Sequence, residues 1–464
     1  MSSLYSSLEA AKSSLAAQQT ALQVTSNNIA NVNTPGYHRQ RAILETTVPE
    51  LTQLGPVGTG VTLAKVVSVR DQFLELRITQ ANQNFATQDT ISRYLQQIES
   101  VLGTDESGIQ ESITRFFNSF SALAADPTSS PLRYGVVSAG ENLGAQFRNA
   151  AQRLSDIRDN ANAVVGDTVR QINNLTETIA SLNLQIATAE FDGTEASGLR
   201  DQRTNAVNEL ASLVDVRYYE AEDGTFNVST AGGYSLVTAG FAHPLETSAS
   251  GANGTLEVIS GVFTITGSIT GGKLGGLLEI RDRLLPSYQQ QLDTLAESII
   301  TQVNTAHNSG TDLQSPPSSP SVDFFNPATS VAGAAAGFSV NATVAGDVLY
   351  IAAGQSGSPG DNANALAIAG LAFQRVLNGG TETFAEAFGS LQFRVGIDEQ
   401  STQKRLQTQN ALLLQLENSR DAVSGVSLDE EAIDLIRFQR AYQAAARFIN
   451  IIDQLTEEMI QLVG

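Results

Sequence analysis

The chain has no cysteine and no tryptophan, only two methionines, and three histidines in 464 residues. Without cysteine there is no disulfide scaffold, no thiolate metal site and no cysteine nucleophile. His38, His243 and His307 stand far apart with no HExxH pairing, so a metal centre would need scattered ligands, and none is expected. No stretch approaches the roughly 20 apolar residues of a membrane span. The start, MSSLYSSLEAAKSSLAAQQ, has neither the basic segment nor the apolar core of a cleaved leader, so any export is expected to proceed without one. Charge is sparse too: 16% of residues are Asp, Glu, Lys or Arg, against about 25% in ordinary soluble proteins. The balance is acidic, formally -21, which argues against nucleic acid or an anionic membrane surface as partner.

What is present is helical periodicity. Leu4, Leu8, Ala11, Leu15, Gln18, Leu22, Thr25, Ile29 and Val32 alternate steps of four and three, the seam of a coiled coil. The far end mirrors it through Leu435, Phe438, Tyr442, Ala445, Ile449, Ile452, Thr456, Met459 and Val463. A second stripe there (Ile433, Ile436, Ile451, Leu455, Leu462) makes the last helix apolar on more than one side, so it must be surrounded. We therefore expect Leu4, Leu8, Leu15, Leu22, Ile29, Val32, Leu435, Phe438, Tyr442, Ile449, Ile452 and Met459 to line subunit interfaces. The first helix offers few large apolar side chains for its length. Both ends are accordingly expected to be loose in a monomer and ordered among neighbours, with an intramolecular N–C helical pair as the simpler alternative.

Between the ends, helical spacing covers 71–101, 109–124, 132–190, 197–214, 274–307, 362–377 and 383–420. Residues 216–272 change texture: period-two alternation broken by Asp-Gly, Gly-Gly and Asn-Gly turns reads as antiparallel strands. TDLQSPPSSP is a Pro/Ser linker, and 321–354 is mixed and rich in Gly and Ala. The expected fold is mainly α with a β insertion: terminal coiled-coil helices, an elongated helical-bundle body and a small outward antiparallel β domain. The expected domains are 1–60 with 421–464 as a paired terminal core, 61–215 with 273–420 as the body, and 216–272 as the insertion.

Chemistry is hard to find. GSITGGKL (267–274) fits a phosphate loop except that Leu274 stands where a Mg²⁺-holding Ser or Thr belongs. Gly272, Gly275 and Gly276 read better as a hinge returning the chain to the helical body. Asp429, Glu430 and Glu431 follow Ser427 and suit a helix N-terminus, where acids complement the dipole. No catalytic, cofactor-binding or metal-binding residue is assigned, and an enzyme is not expected.

One stretch stands out: SNNIANVNTPGYHRQ, 26–40. Asn31 or Asn33 could take a left-handed helix cap, Pro35 pushes Thr34 extended, and Pro35-Gly36 suits the centre of a type II turn. This is a joint between arm and body. The stretch also resembles the N-terminal motif of bacterial flagellar axial proteins of the rod, hook and hook–filament junction. LRDQRTNAVNELASLVDV (199–216), EDGTFNV (222–228), KLGGLLEIRD (273–282) and VSGVSLDEEAIDLIRFQRAYQAAARFI (423–449) narrow the resemblance to the hook-associated protein 1 family. Chains of that family are often longer, so one outer domain is expected to be reduced or missing here. The resemblance implies a structural role with no cofactor: a ring of subunits, about eleven in number, joining hook to filament. It implies as partners further copies of the chain, the hook protein, hook-associated protein 3, a dedicated chaperone at the C-terminal region and the flagellar type III export apparatus. Within the same class a hook or rod protein is the rival reading, and a surface-exposed binding module through 216–272 is another.

Overall fold

The computed structural model describes residues 2–52, 55–103, 108–314, 319 and 322–463. Half of the Pro/Ser linker (315–318 and 320), and Ser321 at the head of the mixed stretch, lie outside them.

The chain opens with α1 (Ser2–Ala30) and then makes a ribbon. β1 (Gln40–Thr46) pairs antiparallel with β4 (Val61–Ser68), and a short hairpin of β2 (Glu50–Thr52) and β3 (Gly55–Val57) continues from its open end. The ribbon lies along α1. Next come α2 (Gln72–Leu102), N-capped by the Asp71 carboxylate, then α3 (Ile109–Ala125), α4 (Ser130–Ala189) and α5 (Ser197–Leu213). The 60 residues of α4 make a rod of about 90 Å at 1.5 Å per residue. Val136, Leu143, Leu154, Ala161, Val165, Ile172, Ile179 and Ile186 keep one side of that rod in the core.

Two small antiparallel sheets follow. One holds β5 (Val216–Glu220), β6 (Phe226–Thr230), β7 (Ser235–Thr238) and β8 (Phe241–Ala242) in that order; the other places β10 (Glu257–Ser260) between β9 (Leu245–Ser248) and β11 (Phe263–Thr264). Their inward side chains, including Val228, Leu236, Val237, Leu245 and Val258, belong to the same core as the helices. Asparagines of α4 fasten them. Asn183 Nδ2 donates to the carbonyls of Phe226 and Ala239, Asn173 exchanges two 2.8 Å bonds with the Leu245 backbone, and Asn162 Oδ1 accepts from Leu256 N–H at 2.8 Å. The insertion is thus laid along α4 rather than built round a core of its own.

The segment expected as one helix over 274–307 is interrupted. α6 (Gly272–Glu279) passes into a π-turn at Ile280–Leu284 before α7 (Leu285–Asn308) resumes. Pro286, in the first turn of α7, has no N–H to give and crowds the preceding turn, which the wider π geometry relieves. Short helices α8 (Ala334–Gly337), α9 (Ala342–Gly346) and α10 (Ala363–Gly370) connect to α11 (Phe384–Ser424) and α12 (Leu428–Val463). Helical spacing over 362–377 yields only α10 and a single 3₁₀ turn, because the chain reverses at Asn378-Gly379-Gly380, all with positive φ. The mixed stretch supplies core: Phe324, Phe325 and Phe338 pack with Phe116, Phe120 and Phe147, and Asn304 holds both backbone groups of Phe325 at 2.9 Å. Mainly helical, with small antiparallel sheets in the middle, the architecture matches the expected fold class.

Between this body and the terminal helices runs a neck of α2 and α11. There Ile78, Ala81 and Leu416 form a small separate cluster.

Candidate functional site

α1 and α12 pack along each other, and the end of α1 meets the start of α12, so the pair is antiparallel. Leu4, Leu8, Leu15, Leu22 and Ile29 are half-buried, as is Val32 just past the helix; full burial falls to Ala11, Ala17, Gln18, Ala21, Val24, Thr25 and Asn28. Small residues on that face let the neighbours approach closely. On α12, Leu435, Phe438, Tyr442 and Ile449 are half-buried, Ile452 is buried and Met459 is exposed. The arms are therefore formed and paired within one chain, against the expectation that they stay loose. That expectation counted α12 alone, whereas α1 also rests on the β1–β4 ribbon. α12 still has an open side: Ile433, Ile436, Phe448, Ile451 and Leu455 are exposed on one face. An apolar stripe of this length left open marks a docking face.

The joint begins where α1 stops. Neither Asn31 nor Asn33 adopts a left-handed conformation. Instead the Asn31 amide folds back on the Asn27 carbonyl (2.9 Å) and side-chain oxygen (3.0 Å), and its Oδ1 accepts from Thr34 Oγ1. That local bonding satisfies the helix end without a positive φ; Asn33 is exposed. Pro35 and Gly36 occupy the centre of a turn closed by the Tyr37 N–H on the Thr34 carbonyl (3.2 Å). Gly36 has φ +73°, and a Cβ there would run into Asn205 Oδ1, so no other residue fits without displacing α5's side chain.

Beyond the turn, four consecutive residues, Tyr37 to Gln40, close a polar clasp. Asn28, 1% exposed, uses its whole amide: Nδ2 donates to the Gln40 carbonyl (2.9 Å) and Glu431 Oε2 (3.0 Å), and Oδ1 accepts from the Tyr37 hydroxyl (2.8 Å) and Gln40 N–H (3.0 Å). Burial, with the negative charges of Asp201 and Glu431, pushes the Tyr37 phenol up to about 12. Arg39 Nε donates to Glu431 Oε1 (2.6 Å) and a terminal nitrogen to Glu430 Oε2 (2.5 Å), with Asp434 at 3.8 Å. Its N–H donates to the Ser424 carbonyl at 2.9 Å, tying in the end of α11. Glu431 is 1% exposed, so the acids at the head of α12 do more than complement a dipole. On the other side His38, 2% exposed, places Nδ1 2.7 Å from Asp201 Oδ1 of α5 and Nε2 2.8 Å from Glu75 Oε1 of α2. Arg70 reaches Asp201 as well, and bonds Thr204 Oγ1.

The clasp thus gathers α1, α2, α5, α11 and α12 at one point. Of its members, only the turn residues were readable from the sequence. Glu75, Arg70, Asp201, Asn205 and Glu431 act through partners on distant elements, and the available signal was that Asp201 and Asn205 lie inside LRDQRTNAVNEL.

The remaining motif stretches fix the body. Arg200 pairs with Glu190 and Glu220 at 2.6 and 2.8 Å. Buried Arg203 lies 3.6 Å over the Phe226 ring and donates to Asn183 Oδ1 and the Gly224 carbonyl, joining LRDQRTNAVNEL to EDGTFNV. Arg281 of KLGGLLEIRD holds Asp282, Asn162 and the Leu256 carbonyl. The GSITGGKL corner does not offer its donors to a phosphate: the buried Asp215 carboxylate already takes the Thr270 N–H and hydroxyl, both at 3.0 Å, and Gly272 is packed so closely that a Cβ there would collide with Val214 N. A Cβ on Gly272, Gly275 or Gly276 would meet Val214, Thr270 or Thr87, so the chain packs closely at each of the three as it returns to the helical body. Among the described residues no group of His, Asp or Glu is arranged to hold a metal ion, and no helix is long and apolar enough to cross a membrane.

Comparison with known proteins agrees with this division. The profile of the flagellar hook-associated protein FlgK helical domain matches 95–325, that of the flagella basal body rod protein 8–38, and that of the flagellar basal body rod FlgEFG protein C-terminal region 420–462. Flagellar hook-associated protein 1 of Bacillus subtilis is 30% identical over all of this chain and 99% of its own, and that of Escherichia coli is 28% identical over 97% and 98%. The structure of the flagellar hook junction protein FlgK from Burkholderia pseudomallei shares the fold, with TM-score 0.66 at 20% identity over 76% of this chain and all of that one. With the rod-type motifs at both ends converging on one clasp and the hook-associated helical domain between them, this chain belongs to the flagellar hook-associated protein 1 family, structural components of the bacterial flagellum.

Proposed function

We propose that the chain builds the junction between hook and filament, as a ring of about eleven copies whose unlike faces meet different partners. The observation that carries this is the open apolar stripe of α12, held at a set angle to the body by the clasp. The arm pairs line the inside of the tube, and the stripe is covered by the next copy. The body forms the surrounding shell. The hook protein meets one end of the ring and hook-associated protein 3 the other. Before assembly the same stripe needs a cover, which suits a dedicated chaperone at the C-terminal region. Sparse charge and the absence of cysteine suit passage through the type III export channel. The domain plan of a paired terminal core, a helical body and strands at 216–272 fits this radial arrangement.

A strain lacking the chain tests the reading: it should build hooks, carry no filaments and shed flagellin into the medium. Normal filaments would refute any junction role. Loss of the hook itself would point instead to a hook or rod subunit.

A further inference from the structure

His38 is set apart from an ordinary core histidine by what faces it. Both ring nitrogens meet carboxylates, Nδ1 at 2.7 Å from Asp201 and Nε2 at 2.8 Å from Glu75, and the ring and both acids are nearly sealed from water. The Nδ1 contact is an aligned hydrogen bond; the Nε2 contact is an ion pair without hydrogen-bond alignment, so it depends on charge. The groups around the ring come from separate elements: Asp201 from α5, Glu75 from α2, Arg70 from the link before α2, and Tyr37 beside it. Behind them Arg39 is matched by Glu430 and Glu431 of α12. With His38 protonated, two buried carboxylates face two cations. Without that proton, one ring nitrogen turns a lone pair toward a carboxylate, and Arg70 alone is left to balance both acids.

We propose that His38 is a proton-dependent latch: the imidazolium clamped between Glu75 and Asp201 fastens the arm pair to the body, and loss of that proton loosens the joint. Burial alone would lower the pKa of the ring, but the hydrogen bond to Asp201 and the close pairing with Glu75 outweigh it and raise it above its ordinary 6.5. The sign follows from linkage. A histidine whose pKa is raised by folding contributes fully below its unfolded value, and the contribution is lost as pH climbs through the raised one. The joint is therefore locked below pH 6.5 and loosens as pH climbs through the raised value. The latch needs no assembled ring, and it does not rest on the junction reading.

The full-length chain, carrying ¹³C-histidine, decides it. Its three imidazoles are followed by NMR from pH 5 to 10, with His243→Asn assigning one signal and His307→Gln another. In parallel, amide-exchange protection factors are measured for 26–40 and for the α4 core as reference. The expected result is a His38 titration above 6.5, with protection over 26–40 falling at least tenfold across that same titration while the α4 core stays protected. Glu75→Gln should move both the titration and the protection step to lower pH together, a shift that a merely structural histidine would not produce. A His38 titration at or below 6.5 overturns the latch. So does a raised titration with unchanged protection over 26–40, or a Glu75→Gln chain in which the two readouts part. Should that variant fail to fold, the native chain's two curves, coincident or separate, still support or overturn the latch.

Discussion

Two buried histidines in this chain have their pKa values moved in opposite directions, and their neighbours decide which way. His38 faces two carboxylates. His307 is fully buried, its Nε2 accepts the Ala352 N–H at 3.1 Å, and burial drives its pKa down to about 4. A histidine with a depressed folded pKa stabilises the chain above its unfolded value of 6.5, and that stability drains away as pH falls toward about 4. The loss from this one ring is at most about 3 kcal/mol. Denaturant unfolding at pH 7 and pH 4.5 should show the native chain losing more stability across that interval than His307→Gln, which cannot gain a proton. Equal losses would mean that His307 is not buried neutral. None of this was legible in the sequence, where both residues are isolated histidines. The partners of His38 lie on α2 and α5, and His307 acquires its environment from the mixed stretch that follows it. The Pro35-Gly36 turn, by contrast, is legible because its chemistry is local: a fixed φ at one residue and a positive φ at the next.

At the scale of elements, α12 has two apolar sides with different duties. Ile452 is 3% exposed on the side toward α1, whereas its neighbour Ile451 is 51% exposed. Ile452→Asp buries a charge with no partner and should cost the arm pair about 3 kcal/mol. Ile451→Asp should change monomer stability by no more than about 0.5 kcal/mol, yet block incorporation onto hooks. Thermal unfolding of the monomers and electron microscopy of complemented cells separate the two outcomes; a stable, assembling Ile451→Asp chain would remove the stripe from the interface. The long amphipathic elements were readable because their side chains repeat with the helix period. The β1–β4 ribbon was readable only in part: YHRQRAILET reads as extended after the Pro-Gly turn, but its pairing with β4 does not show, since the strands carry no strict alternation and owe their burial to α1. Nor were the asparagines of α4 that clamp the two sheets: a polar residue in mid-helix reads as a solvated position until the backbone it serves is brought beside it.

For the whole molecule the question is whether arms and body unfold as one. The main core runs without a break from α2 through α11 but does not include α1 or α12, and the neck adds only the small cluster around Ile78. Apolar contact is therefore thin between the arm pair and the body, and the polar clasp stands in its place. Arg39 is its keystone, matching Glu430 and Glu431 while its own backbone binds Ser424 and Val69. Arg39→Leu leaves Glu431 buried without its cation, which should cost about 3–5 kcal/mol and uncouple the two parts. Calorimetry should then resolve a low-temperature transition for the arms ahead of the body, in place of joint unfolding. Arg39→Leu with Glu431→Leu should recover part of the loss, because removing both charges leaves neither unpaired. A single transition shifted downward, with no recovery in the double variant, would mean that the arms are held by apolar packing after all and that the clasp only orders the turn.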